Sequence, residues 1–269
     1  GDGSDTYTVD SASDLVVEAN AAVAGGVDLV QSALAAYTLS ANSENGLILA
    51  SGAANLTGND ASNVLTGGAG NNALAGAGGN DSLIGGAGDD TLDGGTGADS
   101  LTGGDGSDTY SVDDAADLVV ETNSAVAGGV DRVHSTVAAY TLGANVENGL
   151  IIASGAADLT GNGLGNVLTG GGGNNMLAGA GGNDSLIGAA GDDTLDGGTG
   201  TDTLDGGDGS DTYTVDSTSD LVVETNGSTA GGVDLVQSLA SAYTLATNVE
   251  NGLILASGAA NLTGNDGSN

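Results

Sequence analysis

The sequence predicts an all-β chain wound as a parallel β-solenoid, and three observations carry that prediction. The first is a nine-residue period: from Gly67 the text reads GGAGNNALA, GAGGNDSLI, GGAGDDTLD, GGTGADSLT, GGDGSDTYS, with Asn or Asp in sixth place and Leu or Tyr in eighth. The second is a longer period around it. GDGSDTY recurs at Gly1, Gly104 and Gly207, and ENGLI at Glu44, Glu147 and Glu250, each time 103 residues apart. Residues 1–103 match residues 104–206 at 81 of 103 positions, which marks a repeated structural unit rather than separate domains with separate tasks. The third is composition: 52 of 269 residues are Gly, and each glycine inside a helix costs about 1 kcal/mol. A nine-residue period fits no helix, but it fits a six-residue turn followed by a three-residue strand whose middle side chain points inward.

Taken in order, residues 7–57 hold TYTVD, DLVVE, VDLVQS, AYTL and ENGLILA. These short runs rich in Val, Ile and Tyr, set apart by Gly, Asn and Asp, read as strands with longer, irregular turns. Within them AAVAGG (21–26) reads as a bulged loop and SALAAYTL (32–39) as a short helical turn. The blocks 49–57 and 152–160 keep the Leu of the nonapeptide but lose its Asp. Six nonapeptides then run in phase through 58–111, placing Leu65, Leu74, Leu83, Leu92, Leu101 and Tyr110 inward, and six more through 161–214, from Leu168 to Tyr213. The units are therefore 1–103, 104–206 and a partial 207–269, expected as one continuous solenoid. Eleven or twelve inward positions per unit, with strands about 4.8 Å apart, give an expected rise of roughly 27–29 Å per unit. Both ends fall inside a motif, so a segment of a longer array is expected.

Charge excludes several classes. The chain carries 36 acidic residues against one Arg and no Lys, a formal charge of −35. With no basic patch, binding to nucleic acid or to an anionic membrane surface is excluded. No apolar run is long enough to enter a membrane. There is no Cys and hence no disulfide framework. Residue 1 opens on GDGSDTY rather than on a basic and apolar leader, so no cleaved secretory signal is expected. No HExxH, GxSxG or Gly-rich loop ending in Lys occurs, and the lone His134 belongs to one copy only, so no enzyme is expected. Arg132, also confined to one copy, reads as surface drift.

The pattern GGxGxDxLx resembles the RTX nonapeptide of secreted bacterial proteins. That resemblance implies a right-handed parallel β-roll, two nonapeptides per coil, with several Ca²⁺ ions held between turns that stack two blocks apart. It also implies type I secretion through an uncleaved C-terminal signal, and hence an extracellular or cell-surface location.

Elementary chemistry points the same way. Glycines at φ > 0 let a turn face its carbonyl oxygens to one side, and the sixth-place Asp adds a carboxylate beside them. Hard oxygen ligands suit Ca²⁺ better than Mg²⁺, and transition metals are disfavoured without Cys and with a single His. Stacked turns give the ladders Asn63–Asp81–Asp99, Asn72–Asp90–Asp108, Asn166–Asp184–Asp202 and Asn175–Asp193–Asp211. The strongest expected sites have Asp at both ends (Asp81/Asp99, Asp90/Asp108, Asp184/Asp202, Asp193/Asp211), and those ending in Asn are weaker. Asp117 and Asp220, two blocks beyond Asp99 and Asp202, extend the ladders, and Asp5 belongs to the partial copy at the start. The turn glycines expected to offer carbonyls are Gly86, Gly88, Gly95, Gly97, Gly104 and Gly106, with Gly198, Gly200, Gly207 and Gly209.

Asp89, Asp93, Asp192, Asp196 and Asp205 are expected to be outward and solvated. Asp10, Asp14, Glu18, Asp28 and Glu44 recur in every copy. They too read as solvated loop acids, with the alternative that Glu18 or Glu44 helps to hold further calcium. The six Tyr read as core. One buried Leu per nine residues does not offset the ordering of nine backbones plus the repulsion of stacked carboxylates, so folding and calcium binding are expected as one event.

The functional expectation is a calcium-binding structural repeat region of a secreted or cell-surface protein, stiffening outside the cell into a rod, fibre, stalk or surface layer. Its expected partners are neighbouring units or identical chains, end to end. The alternatives are an adhesive or ice-binding surface, or the calcium-responsive tail of a toxin or hydrolase. The outward Ser, Thr and Ile places are too irregular for a flat ice-binding face.

Overall fold

The computed structural model describes residues 2–18, 26–123, 128–225 and 231–269. The fold is all-β: among the described residues there is no helix, and every described strand pairing is parallel. The chain divides into two compact units, Gly1–Val133 and His134–Asn269.

In the first unit the strands are β1 (Thr6–Val9), β2 (Leu29–Ser32), β3 (Ala36–Thr38), β4 (Asn45–Ile48), β5 (Asn55–Thr57), β6 (Val64–Thr66), β7 (Ala73–Ala75), β8 (Ser82–Ala87), β9 (Thr91–Asp93), β10 (Ser100–Asp105), β11 (Thr109–Val112) and β12 (Leu118–Val120). From β2 onward they alternate between two sheets, one ordered β1-β2-β4-β6-β8-β10-β12 and the other containing β3-β5-β7-β9-β11. Strand β13 (Arg132–Ser135) straddles the boundary between the units.

The second unit repeats this pattern with β14 (Ala139–Thr141), β15 (Asn148–Ile151), β16 (Asp158–Thr160), β17 (Val167–Thr169), β18 (Met176–Ala178), β19 (Ser185–Ala190), β20 (Thr194–Asp196), β21 (Thr203–Asp208), β22 (Thr212–Val215), β23 (Leu221–Val223), β24 (Leu235–Ser238), β25 (Ala242–Thr244), β26 (Asn251–Ile254) and β27 (Asn261–Thr263). Here β14-β16-β18-β20-β22-β24-β26 form one sheet, β15-β17-β19-β21-β23 run through the other, and β25 pairs with β27.

The period of nine sets this winding. Each nonapeptide contributes one strand, and pairing partners lie two blocks apart: Leu65 to Leu83 to Leu101, and Leu74 to Leu92 to Tyr110. These inward side chains are buried while their neighbours face out, the period-two pattern of a strand. The ENGLI glycine shows how tightly the layers meet. Gly46 stands in register with Leu65, and a Cβ on it would come within 2.7 Å of the Leu56 side chain from the facing sheet.

Three expectations are corrected or refined. SALAAYTL is not helical: Tyr37 lies in β3, in register with Leu56, and the Asn55 N–H donates to the Ala35 carbonyl at 2.9 Å. Ladder pairing with the next coil overrides the local helical preference of Ala and Leu. Strands β8, β10, β19 and β21 run on through two glycine-containing positions, pairing Gly86 with Gly104 and Ala189 with Gly207, where a turn was expected. The bulged loop expected at 21–26 lies, but for Gly26, outside the described residues.

Candidate metal centre

Each nonapeptide Asp immediately precedes its strand, so strand pairing stacks the carboxylates in two ladders, one at the strand starts of each sheet. Asp81, Asp90, Asp99, Asp108, Asp184, Asp193, Asp202 and Asp211 are all buried. One oxygen of each is anchored in the same way: Oδ1 accepts the backbone N–H of the residue two blocks earlier. Asn63 donates to Asp81, Asp81 to Asp99, Asn72 to Asp90 and Asp90 to Asp108, each at 2.7 Å. Asn166 donates to Asp184, Asn175 to Asp193 and Asp193 to Asp211 at 2.7 Å, and Asp184 to Asp202 at 2.8 Å. The Oδ2 of every one of these eight residues is buried and has no hydrogen-bond partner. A buried charged oxygen without a partner is expensive, so this row of orphans asks for cations.

A backbone carbonyl converges on several of the orphans. A Cβ placed on Gly76, Gly85, Gly179 or Gly188 would overlap the Asp Oδ2 of its own block, and it would press on the carbonyl oxygen of the glycine two blocks ahead. Carboxylate and carbonyl thus share a cradle that exists because the first residue of the block has no side chain. Hard oxygens of this kind fit Ca²⁺. Burial pushes the carboxyls of Asp81, Asp90, Asp193 and Asp211 up to about 6; the donated backbone N–H groups pull the other way, and adjacent carboxylates add a smaller upward push. Asp99, Asp108, Asp184 and Asp202 are raised by burial as well.

The other expected ligands are placed differently. Asn63, Asn72, Asn166 and Asn175 cap the ladders with both ends of the amide in use. Their Oδ1 accepts the N–H four residues back (from Asn59, Gly68, Asn162 and Gly171), and their Nδ2 donates to a carbonyl of the coil below. Asp117 and Asp220 join the stack through Oδ1, at 3.0 Å from Asp99 N and 3.2 Å from Asp202 N. Their Oδ2 accepts local N–H groups, Asp113 and Asp114 in one case and Asp216 and Ser217 in the other. Asp5 donates its N–H to Asp28 Oδ1 at 2.8 Å.

The turn glycines Gly86, Gly88, Gly95, Gly97, Gly104, Gly106, Gly198, Gly200, Gly207 and Gly209 all have φ between +75° and +153°. Each lies with the place of its missing Cβ against the backbone of the coil below. The glycines that flank the carboxylates are instead those in first place. That signal was available, since all twelve first-place residues from Gly58 to Gly103 and from Gly161 to Gly206 are Gly.

Among the outward acids, Asp89, Asp93, Asp192 and Asp196 are exposed, whereas Asp205 is half-buried and its carboxyl is raised by that burial. Of the recurring loop acids, Asp10 and Asp14 are exposed and Glu44 is half-buried, but Glu18 and Asp28 are buried, as are their repeats Glu121, Asp131, Glu224 and Asp234. The solvated reading of Glu18 and Asp28 is therefore corrected. The core reading holds for Tyr110, Tyr213 and Tyr243, which are buried, and is corrected for Tyr7, Tyr37 and Tyr140, which are half-buried; the hydroxyls of Tyr110 and Tyr213 also donate to buried Glu121 and Glu224. Burial pushes Glu224 up to about 8, against the pull of the Tyr213 hydroxyl.

No curated protein matches the chain. The family model for the RTX calcium-binding nonapeptide repeat (4 copies) matches residues 50–83, 84–119, 160–195, 178–213 and 187–222. Those segments contain the stacked Asp ladders and their glycine cradles. Over residues 50–119 and 160–222 the chain is made of RTX calcium-binding nonapeptide repeats.

Proposed function

We propose that the chain is a calcium-dependent structural repeat region in which Asp81, Asp90, Asp99 and Asp108, with Asp184, Asp193, Asp202 and Asp211, hold Ca²⁺ between stacked coils. The observation that carries this is the set of eight buried Oδ2 atoms without partners, four of them sharing a glycine cradle with a backbone carbonyl. Without cations these charges repel one another in a weakly polar setting. With cations, binding energy becomes folding energy. The chain is expected to be largely unfolded in chelator and β-rich in millimolar calcium by circular dichroism. Asp90→Ala should raise the calcium midpoint severalfold, because Asp90 lies between two stacked neighbours, while Asp89→Ala should leave it nearly unchanged. A full β spectrum in chelator, indifferent to calcium, would overturn the reading.

The family is generally structural and typically extracellular, and no helix among the described residues is long and apolar enough to cross a membrane. We extend the proposal to a non-enzymatic stalk, fibre or surface layer outside the cell, folded by external calcium after export, with neighbouring repeats or identical chains as end-to-end partners. Near-identity of the repeats supports this, since every junction then reuses one geometry. Sedimentation in calcium should show concentration-dependent association that chelator abolishes; a strictly monomeric chain at every calcium level would count against it.

A further inference from the structure

The geometry points to a second kind of divalent-cation site, formed by Asp211, Glu224 and Asp234 where a nonapeptide run gives way to the irregular half of the unit. One oxygen from each residue lies within 4.8 Å of the others. Two oxygens bound to one Ca²⁺ at about 2.4 Å are at most about 4.8 Å apart, so a single ion can reach all three. The residues are 1%, 7% and 1% exposed. Asp211 Oδ2 and Glu224 Oε2 are buried with no hydrogen-bond partner.

Glu224 and Asp234 lie outside the nonapeptides, and each is fixed from a second direction. Tyr213 donates its hydroxyl to Glu224 Oε1, and Asp234 Oδ1 accepts the Asp211 N–H at 2.8 Å. A Cβ on Gly206 would overlap both the Tyr213 hydroxyl and Asp211 Oδ2, so the missing side chain leaves an open cradle that both groups face. Three carboxylates meet here in a chain whose only basic side chains are Arg132 and His134.

The arrangement recurs. Asp108, Glu121 and Asp131, and likewise Asp5, Glu18 and Asp28, bring one oxygen each within the same 4.8 Å. Tyr110 and Tyr7 donate to their Glu as Tyr213 does. Calcium is the expected ion because the ligands are hard oxygens and the proposed function already supplies it; in that choice of ion alone the site rests on the reading above.

Calcium stoichiometry and the folding midpoint test the site in the full chain. Glu224→Gln keeps an acceptor for the Tyr213 hydroxyl and removes one charge. It is expected to bind one calcium fewer by equilibrium dialysis and to need at least threefold more calcium to fold. If the triad holds no ion, removing a charge relieves repulsion instead, and the midpoint falls or stays while the stoichiometry is unchanged; that result overturns the site. Should Glu224→Gln not fold even in calcium, terbium alone serves as the probe. Tyrosine-sensitised terbium emission should drop severalfold in Tyr7→Phe/Tyr110→Phe/Tyr213→Phe and persist in Tyr37→Phe/Tyr140→Phe/Tyr243→Phe, and equal emission from the two overturns the site. A parent chain that neither folds with calcium nor binds it defeats the proposed function. A parent that does both, with Glu224→Gln unaffected, defeats only the triad.

Discussion

Two neighbouring positions in the nonapeptide use glycine for different physical reasons, and the repeats separate them. In first place the backbone is ordinary but there is no room: a Cβ on Gly188 would overlap Asp193 Oδ2 and come 2.6 Å from the Gly206 carbonyl oxygen. In second place of the last four blocks of each run the backbone is left-handed. Gly86 sits at φ +112°, and its counterpart one unit later, Ala189, is held at φ +83°. Gly188→Ala should therefore cost about 1–3 kcal/mol through overpacking and raise the calcium requirement, because the displaced carboxylate is a proposed ligand. Ala189→Gly should stabilise by up to about 1 kcal/mol, since a left-handed alanine costs roughly 1–2 kcal/mol and glycine returns part of that as chain entropy. Thermal melts at saturating calcium measure both, and a stabilised Gly188→Ala would refute the cradle. The constant first-place glycine was visible in the text, but its purpose was not, because the sequence shows a turn and not which atom faces which carboxylate.

The stacked ladder is the element in which charge decides stability. Burial raises the carboxyls of Asp81, Asp90, Asp193 and Asp211 to about 6 in the fold, against about 3.9 for an unfolded Asp. A carboxyl raised on folding stabilises the fold fully below its unfolded value, and that stability is lost as pH rises through about 6. In metal-free buffer the β signal should therefore be greater at pH 5 than at pH 8. In calcium the dependence should invert, with the folding midpoint climbing below pH 6 as protons compete for the same oxygens. Circular dichroism across this range checks both arms, and metal-free stability that increases from pH 5 to pH 8 would contradict the buried ladder. The ladder within the nonapeptides was legible because its rungs fall in every second block. Its continuation was not: counting two blocks on from Asp108 lands on Val126, whereas the next rung is Asp131, 23 residues on, with its Oδ1 2.8 Å from the Asp108 N–H. Five additional residues between these rungs break the count without breaking the stack.

At the scale of the whole chain, the repeat that runs from β11 to β22 holds an odd number of strands among the described residues; the first repeat shows one fewer only because residues 15–17, the counterpart of β12, carry no strand. From β11 to β22, equivalent strands of consecutive repeats, there are eleven steps, within the eleven or twelve expected. Equivalent strands must then alternate between the sheets. In the first unit β1, with TYTV, belongs to the sheet of β2 and β4, while β11, with TYSV, lies beside β9 in the other. In the second unit the NGLI strand β15 lies in one sheet and the NGLI strand β26 in the other. The same sequence therefore folds on either face, so the two faces are interchangeable and the working module is the half-coil of nine residues. Deleting one module in phase, residues 85–93, leaves Asn63–Asp81–Asp108 on one side and Asn72–Asp99–Asp117 on the other, with every later residue moved to the opposite face. Such a chain should still fold in calcium with a midpoint within about twofold of the parent. Deleting residues 85–89 instead throws every later Asp out of the stack and buries polar groups without partners, a change among the most destabilising a solenoid can suffer. It should abolish the calcium-induced β signal of the affected region. If the nine-residue deletion proved as damaging as the five-residue one, the two faces would not be equivalent, and the full coil of two blocks rather than the half-coil would be the unit of folding.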